Sequence, residues 1–148
     1  MYTHLEDYIH ELYKSIGIAN PEDLNMLHIA KKLDVEITYS NRAFRFDNEI
    51  VIRRGTKSEE WLMFGHELCH YLRHSGNQLK MGKLFVDLQE WQADNFMYHF
   101  CIPSFMLRRM NLPDNERDAV WLLQEVYGVT AEFAQKRLQQ YMQNLIYR

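Results

Sequence analysis

The chain has 148 residues, of which 47% are hydrophobic, with a formal net charge of −3. This length is typical of one domain and sufficient for a sizeable core, so we expect a single domain over residues 1–148. The acidic balance excludes the basic field that draws a whole domain to nucleic acid or anionic lipid.

The first half of the chain predicts two helices followed by a small sheet. Apolar residues at helical spacing indicate a helix over about 4–16, and Asn20-Pro21 begins a second helix over about 21–33. The period then changes, and three short alternating runs predict three strands, which are Val35–Tyr39, Ala43–Phe46 and Ile50–Ile52. Asp47-Asn48 is a plausible turn between the last two runs, so we predict an antiparallel sheet.

The second half reads as helical throughout. Thr56–Ser58 supply N-cap candidates for a long helix that reaches about Arg73. Four more helices follow, over about 86–101, 104–110, 114–127 and 131–146. Helices, a small sheet and then helices are an α+β pattern, with the sheet packed on the long helix.

The long helix carries His66-Glu67-Leu68-Cys69-His70, which fits the H-E-x-x-H pattern. Positions four apart on a helix differ by only ~40° around its axis, so both imidazoles project toward one metal ion. Glu67 lies on the flank of that pair, where a general base can take a proton from an attacking water without binding the metal. Chance occurrence on an amphipathic helix is the alternative to this metal site.

A catalytic zinc takes three protein ligands, so one more residue must complete the set. Glu90 on the following predicted helix is the candidate, because twenty positions after His70 allow the chain to reverse. Asp94 lies one turn further and can accept the ring N–H of a ligating histidine. The other interpretation is that Glu90 and Asp94 form an ordinary solvated acidic stripe.

The run from Gly65 to His74, followed by Glu90-x-x-Ala93-Asp94-x-Phe96 and Pro103, resembles the ImmA/IrrE family of zinc peptidases and the wider gluzincin group. The resemblance implies a zincin-like α+β fold and a Zn²⁺ ion held by His66, His70 and Glu90. It also implies Glu67 as the catalytic base and Asp94 as the residue that orients a ligand histidine. Members often have Gly where this chain has Cys69, which we interpret as buried core filler.

The resemblance also implies a function. Members of this family typically cut a helix-turn-helix repressor and so release prophage, mobile-element or stress genes. We therefore expect a zinc-dependent endopeptidase whose protein partner is such a repressor, encoded nearby. Two alternatives remain: an antirepressor that binds the repressor without cutting it and keeps a structural zinc, and the toxin of a toxin–antitoxin pair.

Three further features concern location and partners. Two cysteines, an acidic N-terminus and no apolar run of ~20 residues predict a cytoplasmic protein that does not enter a membrane. The strand Ile50–Ile52 is either a substrate-docking edge or an interior strand. The segment 120–138 has helix-turn-helix character, but it mixes acidic and basic residues, so we read it as packing or substrate-positioning structure without direct nucleic-acid contact.

Overall fold

The computed structural model describes residues 3–40, 48–74 and 93–146. Their elements, in chain order, are α1 (His4–Ser15), a 3₁₀ helix (Pro21–Asp23), α2 (Met26–Lys32), β1 (Glu36–Tyr39), β2 (Glu49–Ile52), α3 (Lys57–His74), α4 (Ala93–Cys101), α5 (Ser104–Leu107), α6 (Glu116–Tyr127) and α7 (Ala131–Ile146). The α+β class is confirmed, with helices dominating. No helix within these ranges is both long and apolar enough to cross a membrane.

The two β-strands run parallel, so the prediction of an antiparallel sheet was wrong. Glu36 pairs with Glu49 and Tyr39 with Ile52, in a two-stranded sheet. The first and third predicted strands are therefore direct neighbours, whereas a hairpin-connected sheet would separate them. The remaining predicted strand, 43–46, lies outside the described residues. Strand direction is set by the helices that the strands pack on, α2 against β1 and α3 against β2, and not by the local turn signal at Asp47-Asn48.

The second predicted helix is divided into two elements. The 3₁₀ helix ends at Asp23, Leu24 has an extended backbone, and Asn25 then caps α2 by accepting a hydrogen bond from the His28 N–H at 2.9 Å. Asparagine is a strong N-cap because its side chain satisfies one of the free N–H groups of the first turn. The local cap therefore begins a new helix where hydrophobic periodicity alone predicted one continuous helix.

The start of α3 is fixed by a capping box, in agreement with the predicted N-cap region. Thr56 donates its N–H to Glu59 Oε1 at 2.9 Å, and the Glu59 N–H donates to Thr56 Oγ1 at 3.1 Å. Hydrogen bonds to the Glu59 carboxylate from the Thr56 backbone N–H and from the Thr56 side chain hold the pKa of Glu59 below its usual value. Two free N–H groups are satisfied reciprocally, which defines where the helix begins and hence the face on which each later residue lies.

Phe100 of α4 is the centre of the buried core. Its ring contacts Tyr13 of α1 at 5.0 Å, Trp61 and Phe64 of α3 at 5.4 and 6.0 Å, and Phe96 at 5.7 Å, all between ring centroids. The Tyr13 hydroxyl also donates to the Phe100 carbonyl at 2.6 Å. One aromatic cluster thus locks α1, α3 and α4 together, because each ring buries a large apolar surface.

Gly65 allows α3 and α4 to approach each other closely. A Cβ at this position would lie 3.0 Å from Cys101 Sγ and 3.3 Å from Phe100 Cδ2. Glycine in a helix interior costs about 1 kcal/mol relative to alanine, so its presence here is compensated by the packing it permits. The close contact falls directly beside His66.

The C-terminal helices form a hairpin anchored by a buried arginine. Gly128 ends α6 in the left-handed conformation, and Thr130 Oγ1 accepts from the Phe133 N–H at 3.2 Å. Arg137 of α7 is fully buried and donates to the Ile102 carbonyl at 2.9 Å and to Ser104 Oγ at 2.7 Å. Hydrogen bonds from a charged donor of this kind tie α7 to the segment that joins α4 and α5.

We predict that Gly65→Val lowers the free energy of unfolding by about 1–3 kcal/mol, because the added methyl groups overpack the contact between α3 and α4. Denaturant unfolding of the purified variant measures this change. Ala131→Val places the same side chain at an exposed helix position and should change stability by less than about 0.5 kcal/mol. Equal stability of Gly65→Val and wild type would contradict the close approach of the two helices.

Candidate metallopeptidase site

His66 and His70 lie one turn apart on α3, and both side chains are half-buried. Their ring centroids are 5.1 Å apart and the ring planes are inclined by 68°. Two imidazoles that bind one tetrahedral zinc at about 2.0–2.1 Å have centroids about 5 Å apart, so the observed spacing fits a shared ion without rearrangement of the backbone. Nitrogen donors of this kind suit zinc.

Asp94, the second residue of α4, reaches across the helix contact to His66. Its Oδ1 lies 3.2 Å from His66 Nδ1, and the two side chains are 68% and 36% exposed. A carboxylate accepts hydrogen bonds, so this contact favours the neutral tautomer of His66 that carries hydrogen on Nδ1 and a lone pair on Nε2. A contact of this kind is the one expected if Asp94 is the carboxylate partner of a metal-binding histidine, which stays a prediction.

Glu67 and Cys69 lie on either side of the histidine pair. Glu67 is half-buried and follows His66 directly on α3. Cys69 is fully buried, close to Tyr8 of α1, whose pKa is raised mainly by burial. The thiol therefore belongs to the core, in agreement with its interpretation as core filler.

Glu90, the predicted third ligand, lies outside the described residues. Within residues 3–40, 48–74 and 93–146, His, Cys, Asp and Glu side chains form no group of three or more that would hold a metal ion. The described part of the chain thus contains two of the three predicted ligands, His66 and His70, and Asp94 contacts His66. The assignment of Glu90 stays a prediction.

Four side chains are chemically able to donate a hydrogen bond to an oxyanion, namely Tyr71, Arg73, His74 and Tyr98, and Tyr98 is the one on the helix face of Asp94. It lies one turn after Asp94 on α4, is half-buried, and stacks on Phe133 at 4.4 Å. Its pKa is raised, mainly by burial, so the hydroxyl keeps its proton and remains a donor. Tyr71, by contrast, is buried, and the side chains of residues 73 and 74 lie outside those described.

A cavity of about 500 Å³ lies on the same face of α3, on the N-terminal side of the histidine pair, and Gly55 and Glu59 are among its lining residues. Leu62 and Met63 line it, and they precede His66 by four and three positions, the spacing of neighbours on one helix face. Exposed Arg53 and Arg54 close its other side. Sequence reasoning missed these residues as a group. The helical spacing indicates the first two, but the position of the arginines depends on where β2 ends relative to α3.

The fold and this arrangement define a class: an α+β protein with an H-E-x-x-H helix whose first histidine contacts a carboxylate from the next described helix. The comparison with protein families agrees. Residues 22–139 match the family model Peptidase_M78, described as the IrrE N-terminal-like domain. The match spans more than half of the chain, and the chain therefore belongs to this peptidase family.

Two relatives from Bacillus subtilis (strain 168) are similar along most of their length. One is named phage-like element PBSX protein XkdA and is 45% identical over 142 residues, which cover 92% of this chain and 72% of that protein. The other is named uncharacterized protein YqaB and is 38% identical over 149 residues, which cover 97% of this chain and 87% of that protein. No solved structure matches the chain significantly.

We predict that His66 in metal-free protein favours the tautomer with hydrogen on Nδ1, because Asp94 accepts that hydrogen. Nitrogen-15 NMR of the imidazole distinguishes the two tautomers at a pH where the ring is neutral. Asp94→Ala should remove the preference. Asp118→Ala, which removes an exposed carboxylate from the first turn of α6, should leave it unchanged. A His66 tautomer unaffected by Asp94→Ala would contradict the contact.

Proposed function

We propose that this protein is a zinc-dependent endopeptidase that makes a site-specific cut in a helix-turn-helix transcriptional repressor. The observation that carries the proposal is the pairing of His66 with His70 on one face of α3 and with Asp94 of α4, in a chain of a peptidase family. Phage or mobile-element regulation is the proposed context. A relative named as a protein of a phage-like element supports it.

The chain's own residues divide the chemistry between them. His66, His70 and Glu90 would hold the zinc, which when bound supplies Lewis-acid polarisation of the scissile carbonyl and lowers the pKa of water. Glu67, beside His66, takes the proton of the attacking water and passes it to the leaving amine. Asp94 keeps the Nδ1 of His66 protonated, so that Nε2 stays free to bind metal.

Substrate binding beside this centre is proposed to use the cavity formed by Leu62, Met63, Arg53 and Arg54. Its lining combines apolar Leu62 and Met63 with basic Arg53 and Arg54 and acidic Glu59, so it offers an amphipathic place for a side chain next to the scissile bond. Tyr98 is the proposed donor to the oxyanion, because it shares a face of α4 with Asp94 and keeps its proton. These contacts position a peptide, which is what distinguishes an endopeptidase from a structural metal site.

We predict that the purified protein holds one zinc ion per chain, measured by elemental analysis of protein never exposed to chelator. His70→Ala removes a ligand and should lose the metal. Asp94→Ala should weaken zinc affinity by roughly 10–100-fold, because the ligand histidine loses its orientation. The matched control is Asp118→Ala, which removes an exposed carboxylate from α6 and should leave zinc affinity unchanged. Protein that contains no transition metal at all would contradict the proposal.

A separate prediction concerns Glu67→Gln, which keeps the size of the side chain but cannot accept the proton of water. Cleavage of the repressor encoded beside this chain should fall by about 10²–10⁴-fold, while zinc content and repressor affinity stay near wild type. Mass spectrometry of the repressor after incubation measures cleavage, and calorimetry measures binding.

Two results would identify a different function. If Glu67→Gln relieves repression in cells as well as wild type does, the protein acts as an antirepressor by sequestration. If wild-type protein arrests growth when expressed without the repressor and cuts a host protein instead, it is a toxin.

A further inference from the structure

A second cavity lies on the opposite side of α3 from the histidine pair. It has a volume of about 480 Å³ and is bounded by the 3₁₀ helix, α2, β1, the first turn of α3 and the end of α6. Its apolar lining residues are Leu24, Met26, Leu27, Trp61, Val126 and Tyr127. We call this cavity the α2–α6 groove.

The groove is separate from the candidate metal site. Lys57 and Trp61 line it from α3, nine and five positions before His66. At about 100° and 1.5 Å per residue, they are rotated about 180° and 140° from His66, and Trp61 lies about 7.5 Å away along the axis. A molecule in the groove therefore does not occupy the site where peptide hydrolysis is proposed.

Large exposed apolar side chains are found at and beside the groove. Leu27, which lines it, is 63% exposed, and Trp121 is 61% exposed. Trp121 precedes the lining residue Glu125 by one turn of α6, so the two share a face. Exposed tryptophan and leucine beside a preformed cavity are typical of a protein-binding surface, where tryptophan often contributes most to affinity.

The rim of the groove is acidic. Among the described lining residues Glu22, Glu60 and Glu125 are acidic and Lys57 is basic, and Arg54 lies over the ring of the lining residue Tyr39 at 4.1 Å. Glu60 is held in place, because it accepts from the Tyr39 hydroxyl at 2.9 Å and from the Gly55 N–H at 3.1 Å. A surface of this charge attracts a partner with lysine or arginine around an apolar anchor and repels an acidic one.

We propose that the α2–α6 groove is a docking exosite for the protein substrate, which it holds by a basic segment with a large apolar side chain. This inference rests on the proposed function, because its occupant is the same helix-turn-helix repressor. A repressor that binds DNA carries clustered lysine and arginine, which complement the three carboxylates. The groove selects the substrate at a distance from the bond that is cut.

The test measures binding of the repressor encoded beside this chain to full-length Glu67→Gln protein by calorimetry. Adding Trp121→Ala or Leu27→Asp should weaken binding by about tenfold or more, since each removes or repels an apolar anchor. Adding Glu125→Lys should weaken binding and reduce its dependence on salt concentration, because one attractive charge is reversed. In catalytically intact protein, the same groove changes should raise KM and leave kcat near wild type.

Matched controls are available elsewhere on the surface. Met142→Ala removes an exposed apolar side chain from α7, and Glu11→Lys reverses an exposed charge on α1. Both should bind and cleave like wild type. Because Trp121, Leu27 and Glu125 are exposed, we expect the groove variants to fold like wild type. Circular dichroism and thermal unfolding check this.

Three results would overturn the exosite. If the groove variants bind the repressor and cleave it with wild-type KM, the exosite is wrong and the proposed function is unaffected. If the wild-type protein does not bind the repressor at all, the repressor is not the occupant of the groove. A change of oligomeric state in Trp121→Ala, seen by light scattering, would assign the groove to a second copy of the chain. If the repressor binds the groove but is never cleaved, the exosite stands and the peptidase proposal fails.

Discussion

The close contact between α3 and α4 is the constraint on which the candidate site depends. Gly65 removes the side chain that would separate the helices, and Cys101 and Phe100 fill the space on the α4 side. Because His66 follows Gly65 directly, the same contact brings Asp94 of α4 to 3.2 Å from the His66 ring. A carboxylate orients a histidine only at hydrogen-bond distance, so the geometry requires helices that touch.

Buried polar groups hold these helices at fixed positions along their axes. Tyr13 donates to the Phe100 carbonyl, and Arg137 donates to the Ile102 carbonyl just beyond the end of α4. Gln140 of α7 also donates to Asn95 Oδ1 at 2.7 Å, one residue after Asp94. Apolar packing is non-directional, whereas these hydrogen bonds are lost if α4 slides or rotates, so they specify the register that places Asp94.

The helix α3 connects two surfaces with different chemistry. The face that carries His66 and His70 is flanked by an apolar floor and exposed arginines, whereas the opposite side of its first turns lines an acidic groove. In the proposed function, hydrolysis and substrate selection are thereby separated on one rigid element. Specificity then need not come from the residues beside the scissile bond alone, which suits an enzyme with a single protein target.

The sequence by itself determined the features that depend on local periodicity and caps. H-E-x-x-H spacing places two histidines on one face of any α-helix, and Thr56, Gly128 and Thr130 define helix ends through their own backbone and side-chain hydrogen bonds. These features need no distant residue. Within the described residues the helices of the C-terminal half were accordingly predicted to within about three residues, except that the start of the helix predicted over 86–101 lies outside those residues. The α+β class and the family were also predicted correctly.

Tertiary structure decided the features that depend on residues far apart in the chain. The parallel direction of β1 and β2 follows from the helices they pack on, so the local turn signal led to the wrong prediction. The distance between His66 and Asp94 follows from the contact at Gly65, and the two cavities follow from elements separated by up to a hundred positions. Spacing along the chain determines the helix face on which a residue lies. Which other elements contact that face is determined only by tertiary packing, because burial depends on the whole fold.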